Sequence, residues 1–253
     1  MANRDDIVDF CDEMLDAGAF ADYGPNGLQV PGSTEVSKVA TCVSAHLESI
    51  ERAVEAGAEM LIAHHGLFWE FHPRAMSVQM AARLRVALGA GLNVAGYHLP
   101  LDAHREIGNN ALLAEALGFE AAGDDFSVVK GAAIGVIGRR VSGIPATELF
   151  DAVRSEVSAE PLIFESGPAV VESIGIVSGA AASAIHEAVA LKLDAFLTGE
   201  PAEHAMADAK EGGIHFIAAG HYATETFGVR RLGDLVAERF GVTHEFIDVP
   251  NPI

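Results

Sequence analysis

Three apolar runs, KVATCVSA at residues 38–45, EMLIAHHG at 59–66 and LNVAGYH at 92–98, decide the fold of this chain. Each is short and bounded by Gly or polar residues, the pattern of a strand buried on both faces. Apolar residues at helical spacing fill the gaps, over residues 46 to 57 and about 76 to 89. Strands alternating with helices predict parallel βαβ units. The same order returns as SIGIVSGA at 173–180, a helix near 181 to 190, DAFLTGE at 194–200, a helix near 202 to 211, and IHFIAAGH at 214–221. Aligning KVATCVSA with ESIGIVSG, AEMLIAHHG with LDAFLTGE, and LNVAGYH with IHFIAAGH suggests one supersecondary unit used twice. The identities are few, and chance likeness between two βαβαβ segments is the alternative.

Outward from these runs, Ile7, Val8, Cys11, Met14 and Leu15 stand at helical spacing, and Gly18 closes that first helix. The Gly-Pro and Asn-Gly steps of DYGPNGLQVPG, residues 22–32, predict a turning loop that presents Asn26 and Gln29. The Gly-rich middle, near 121 to 165, contains KGAAIGVIGRRV, read as strands beginning the second half, and GVTHEFIDVPNPI ends the chain as a strand stopped by prolines. The expected division is residues 1–125, completed by a strand at 242–250, and residues 126–241.

With 253 residues, 50% of them hydrophobic, the chain is long enough for one large core or two smaller ones. Cys11 and Cys42 lack CxxC spacing and sit in apolar periodic stretches, so core packing in a reducing cytosol is expected. The start, MANRDDIVDFCDEML, carries acid where a signal peptide carries base, and no apolar run approaches the ~18 residues that cross a bilayer. The expected location is cytoplasmic. Sixteen basic against 36 acidic residues leave a net charge of −20, which repels phosphate backbones and anionic lipid, so neither nucleic acid nor membrane is an expected partner. Four lysines beside twelve arginines complete a halophile-like balance, for which an acidic mesophile protein is the alternative.

Parallel α/β sheets carry their working groups just past the carboxyl ends of strands. There this sequence places His64 and His65, His98 with Asp102 four residues on, Glu200, and His221 with Glu225 four residues on. Imidazole with carboxylate suits Zn, Mn, Fe or Ni, and the lack of thiolate argues against Fe–S clusters and Cys-based zinc. Three imidazoles and two carboxylates suffice for two ions, since a carboxylate bridges metals ~3.5–4 Å apart. Adjacent His64 and His65 point to opposite faces of a continuing strand, unless a turn at Gly66 lets both face one site. Asp102 and Glu225 have a second reading as acids at helix N-termini. His46, His72, His104, His186, His204, His215 and His244 lack a converging donor and read as structural, His104 being the least secure. No HExxH, P-loop, GxSxG or GxGxxG stands in the right context.

At these residues the sequence resembles the Nif-three-like dinuclear-metal family, whose members are commonly called GTP cyclohydrolase I type 2 homologues. The likeness runs through DYGPNGLQV, LIAHHGLFW, YHLPLDAH, IGNNALLAEALG, DAFLTGE, HFIAAGHYATETFGVRRL and FIDVPNP, nearly the whole chain, and is weakest over 121 to 170. It implies two intertwined, similar α/β domains with the metal site between them, assembled as a toroidal homohexamer whose sites face an internal cavity. It implies His64 and His221 on one ion, His65 and Asp102 on the other, and Glu225 as the bridge. His98 falls outside the family's usual ligands, which implies a supporting or proton-transfer role. Glu200 reads as a general acid or base near the metals, or as a cap of the following helix.

The expected activity is metal-dependent hydrolysis, in which two ions activate water and polarise a phosphoryl, amide or ring-carbon electrophile of a small-molecule substrate. Opening of the purine ring of GTP is one such case. No P-loop or basic cluster is visible to hold a triphosphate, though Arg74, Arg230 and Arg231 could contribute. The alternative is a non-catalytic metal-handling or scaffold hexamer. An adaptor without metal would leave the five ligands without purpose.

Overall fold

The computed structural model describes residues 1–158 and 160–253. The chain divides into two units, residues 1–101 with 228–249 and residues 102–227 with 250–253. It leaves the first unit after Leu101 and returns to it at Gly228.

The first unit opens with α1 (Arg4–Met14), whose N-cap Asn3 accepts from the Asp5 amide. The helix stops before Gly18, which lies in a separate single turn over Ala17–Ala19. A short ribbon pairs β1 (Ala2–Asn3) with β3 (Glu35–Val36). The main sheet has the order β13-β4-β5-β6-β2. Its centre is β4 (Lys38–Ser44), β5 (Met60–His65) and β6 (Asn93–Gly96), all parallel and joined through α2 (Leu47–Glu55) and α3 (Val78–Ala90). β13 (Thr243–Phe246) runs parallel beside β4. At the other edge, β2 (Gly27–Val30) pairs antiparallel with β6, so Gln29 sits on a strand where a loop was expected. Burial along the middle of β4 and β5 matches their largely apolar sequence, with Thr41 and His64 buried among the aliphatics. Ile50, Leu61, Leu67, Leu92, Val94 and Ile247 pack in one core with Cys42. Each large aliphatic buried there is worth ~1.5–3 kcal/mol against exposure. The body of α10 (Thr226–Phe240) belongs to this unit and buries Val229, Leu232 and Val236.

The second unit contains a six-stranded sheet ordered β7-β8-β10-β11-β12-β9. β10 (Val170–Val177), β11 (Ala195–Thr198) and β12 (His215–Ala218) are parallel and joined through α7 (Ile185–Ala190) and α8 (Ala205–Gly212). The edges are antiparallel: β7 (Glu120–Val129) and β8 (Ala132–Pro145) form a hairpin, and β9 (Leu162–Phe164) borders β12. Lys130 and Gly131 turn that hairpin with φ of 48° and 90°, the left-handed geometry that matches strand twist. α5 (Asn109–Ala116) packs on β7, β8 and β10, and α6 (Ala146–Glu156) on β8 and β10. Leu113, Leu117, Leu149, Phe150, Ile174, Ile176 and Leu197 share the resulting core. That packing places residues 102 to 125 in the second unit, where the sequence suggested a boundary at 125/126.

No described helix is long and apolar enough to cross a membrane.

Candidate metal centre

In the first unit the candidate residues collect at the carboxyl ends of β4, β5 and β6. His64 and His65 close β5, and His98 follows β6 by two residues. Fully buried His64 has its Nδ1 3.0 Å from the Tyr97 carbonyl oxygen. A carbonyl only accepts, so Nδ1 carries the proton and Nε2 is the basic nitrogen, the arrangement usual for metal-binding imidazoles. His65 Nδ1 lies 3.0 Å from the hydroxyl of Ser44, the last residue of β4. The His64 and His65 ring centroids are 4.6 Å apart, and that of His98 lies 5.2 and 5.6 Å from them. One ring nitrogen from each falls within 4.8 Å of the others, so these three imidazoles can hold a metal ion together. The adjacent histidines therefore converge, as the end of β5 at His65, just before Gly66, permits.

The DYGPN loop holds His98. Asp22 Oδ1 is 2.8 Å from His98 Nδ1, Asp22 also accepts from the Leu99 amide and from Asn26 Nδ2, and Asn26 Oδ1 accepts from the His98 amide. Burial alone would raise the Asp22 carboxyl, but the His98 bond and charge, with the Tyr23 amide and Asn26, bring it down to about 2. Trp69 meets His98 edge-on at 5.0 Å and donates from Nε1 to the Gly66 carbonyl. It also lines a groove of about 440 Å³ with His72, Arg74, Met80 and Arg83.

In the second unit the carboxyl ends of β10, β11 and β12 lead into Ser178 and Gly179, Glu200, and His221. His221 begins α9 (His221–Thr224), with its Nδ1 2.5 Å from Glu200 Oε1 and its Nε2 3.2 Å from Glu225 Oε1. Burial lowers the His221 imidazole, but Glu225 and then Glu200 outweigh that and raise it to about 9. Although Glu225 stands just before α10, its carboxylate turns to His221 and is 3% exposed. Gly179 has φ +65°, and a Cβ there would come within 2.5 Å of Glu225 Oε1 and 3.3 Å of His221 Nε2. Imidazole and carboxylate beside a position where even a methyl would intrude fit a divalent transition metal.

Asp102 lies in α4 (Leu99–Ala103) and is buried. Its Oδ1 accepts from Asn109 Nδ2 at 2.9 Å and from the Ser178 hydroxyl at 3.1 Å. Asn110 fixes the same place: its amide donates to the Ile134 carbonyl, and its oxygen accepts from the Ser178 amide. Glu200 pairs with His221, and the N-cap position of α8 is taken by His204, so Glu200 is not that helix's cap.

Four of the histidines read as structural have their ring nitrogens engaged by backbone or side-chain partners. His46 caps α2, His104 accepts from the Glu106 and Ile107 amides, His215 bonds Gly167 and Pro168, and His244 bonds Thr41 and Asp234. His186 and His204 depart from that reading, because Asp208 converges on both. Asp22, Asn109, Asn110, Ser178 and Arg83 were not recognised from sequence. Asp22, Asn109, Asn110 and Ser178 stood only as polar residues within DYGPN, IGNNALL and IVSG, and Arg83 as one charge on α3; partners such as His98 for Asp22 and Ser178 for Asn110 lie tens of residues away.

Residues 2–252 match the family described as Duf34/NIF3 (NGG1p interacting factor 3). A relative from Pseudomonas aeruginosa named GTP cyclohydrolase 1 type 2 homolog is 39% identical over 246 residues, covering 97% of each chain. The solved structure of protein ybgI, described as of unknown function, superposes with a TM-score of 0.93 at 36% identity and covers 100% of both chains. TTHA1606 from Thermus thermophilus has a TM-score of 0.86 at 33% identity, again over 100% of both chains.

Proposed function

This chain belongs to the Duf34/NIF3 family, and from that premise we propose that it is a metal-dependent hydrolase holding two divalent ions through His64, His65, Asp102, His221 and Glu225. The observation that carries this reading is the His221–Glu225 pair. A buried carboxylate faces one imidazole nitrogen, a second carboxylate holds the other, and Gly179 keeps a side chain from the space beside them. The oriented His64 supports it from the first unit.

When bound, two divalent ions supply Lewis acidity toward water and toward a phosphoryl, amide or ring-carbon electrophile. The chain's own groups do the rest. Tyr97 fixes the tautomer of His64, and Asp22 orients His98 with its proton on Nδ1. Glu200, partly exposed, exchanges a proton with solvent at His221 Nδ1. Trp69 offers a planar face and Arg74 and Arg83 positive charge, which favours a planar, anionic substrate. GTP, suggested by the relatives' name, is the first to try. Residence in the cytosol and assembly as a homohexamer belong to the same proposal, the second tested by light scattering.

Elemental analysis should find two metals per wild-type chain and fewer in His64→Ala and Glu225→Ala; full content in both variants rejects the ligand set. Turnover is then screened on GTP, cyclic nucleotides, phosphodiesters and small peptides with the native metal. Glu200→Ala should lose turnover while keeping metal. Rapid metal exchange without turnover of any substrate would favour the metal-handling alternative.

A further inference from the structure

The second unit carries another group of donors that the proposed hydrolytic site does not use. His186 lies on α7, and His204 and Asp208 lie at the start of and within α8. One ligand atom from each falls within 4.8 Å of the others. Asp208 Oδ2 is 2.7 Å from His204 Nδ1 and 3.7 Å from His186 Nε2. The imidazoles lie nearly parallel, 17° between planes with centroids 5.7 Å apart.

The sequence produces this convergence in two steps. On α8, Ala205 and Ala209 are buried, which turns His204 and Asp208, four residues apart, to one outward face. On α7, Ile185 and Ala188 are buried, which leaves His186 exposed. Gly212 lets the helices approach, since a Cβ there would lie within 2.5 Å of Val189 Cγ2.

We propose that His186, His204 and Asp208 form a separate binding site for one divalent transition-metal ion of the zinc class, clamping α7 to α8. Two imidazoles and a carboxylate are a standard three-ligand set for zinc, whereas Mg²⁺ and Ca²⁺ require oxygen donors. A tetrahedral ion with bonds of about 2.0–2.1 Å separates its donors by roughly 3.3–3.5 Å. The observed 2.7 and 3.7 Å straddle that range, so modest side-chain shifts admit the ion. The ion takes the place of the proton between His204 Nδ1 and Asp208 Oδ2, and the neutral ring keeps its proton on Nε2. Side-chain exposures of 65% for His186 and 43% for His204 leave the fourth position to water. The clamped helices are the crossovers joining β10 to β11 and β11 to β12.

The test is titration of the full-length, metal-stripped chain with Zn²⁺ alone, reading equivalents bound with a chromophoric competitor. Wild type should bind one equivalent more than His186→Ala or Asp208→Asn, each confirmed folded by circular dichroism. Zn²⁺ should also raise the melting temperature of wild type more than that of either variant. Equal stoichiometry in wild type and both variants overturns the proposal. His64→Ala and Glu225→Ala should keep this equivalent, so failure here and failure of the hydrolytic site are distinguishable.

Discussion

Asp22 Oδ1 sits 2.8 Å from His98 Nδ1 across 76 residues of sequence, joining an N-terminal turn to the imidazole beyond β6. This contact converts a loop that reads as mere chain reversal into the support of the histidine cluster. A carboxylate behind an imidazole fixes both its tautomer and its direction.

Asp22 also gives acid stability a local origin. Its carboxyl is lowered from 3.8 to about 2. A depressed folded value means that the stabilisation is complete above the unfolded value and disappears as pH falls through about 2. With a side chain only 2% exposed, the shift corresponds to about 2 kcal/mol. Asp22→Asn should therefore be about 1–3 kcal/mol less stable at pH 7 in urea denaturation, the gap narrowing toward pH 2. Equal stability at pH 7 would contradict the assignment.

His221 makes metal uptake compete with a proton. Raised to about 9, its imidazole is charged at pH 7 in the metal-free protein. The stabilisation it contributes there is complete below 6.5 and lost as pH rises through about 9. Zn²⁺ titration calorimetry at pH 7.5, in buffers of different ionisation enthalpy, should show about one proton released by His221, absent in His221→Gln. Identical proton counts in the two proteins would exclude His221 as a ligand.

Gly179 and Gly213 offer a matched comparison, because both have φ of +65° but only Gly179 borders the His221–Glu225 pair. An alanine at either should cost about 1–2 kcal/mol of backbone strain. Only Gly179→Ala should also lose metal. Comparable metal content in both variants would mean that the space beside Glu225 is not the binding position.

The cysteines should be inert while the fold is intact. Burial pushes the Cys42 thiol up to about 12 and that of Cys11 higher still. Iodoacetamide at pH 8 should modify neither in the native protein and both in denaturant, as read by intact mass. Rapid native labelling would refute their core positions.

The parallel strands were legible because a strand buried on both faces is apolar along most of its length, as β4, β5, β10 and β11 are. His64, His65, His98 and His221 were legible because strand ends are where such sheets keep reactive groups. Other features depend on partners far along the chain. The apolar stripe of α10, Val229, Leu232 and Val236, marks a buried face without saying which core receives it. Antiparallel pairing of β7 with β8 draws residues 102 to 125 into the second unit, and no local pattern announces it. His186 and His204 meet only because two helices approach at Gly212, so their separation in sequence conceals them.

The return of the chain to its first unit at Gly228 sets an order of events during synthesis. β4, β5 and β6 emerge early, but β13, the strand bordering β4, emerges after the whole second sheet. Until then one side of β4 has backbone donors and acceptors without their native partner, the kind of open edge that invites pairing between nascent chains. A ribosome stalled near residue 227 would thus hold a chain whose second sheet is fully synthesised and whose first still lacks its last strand.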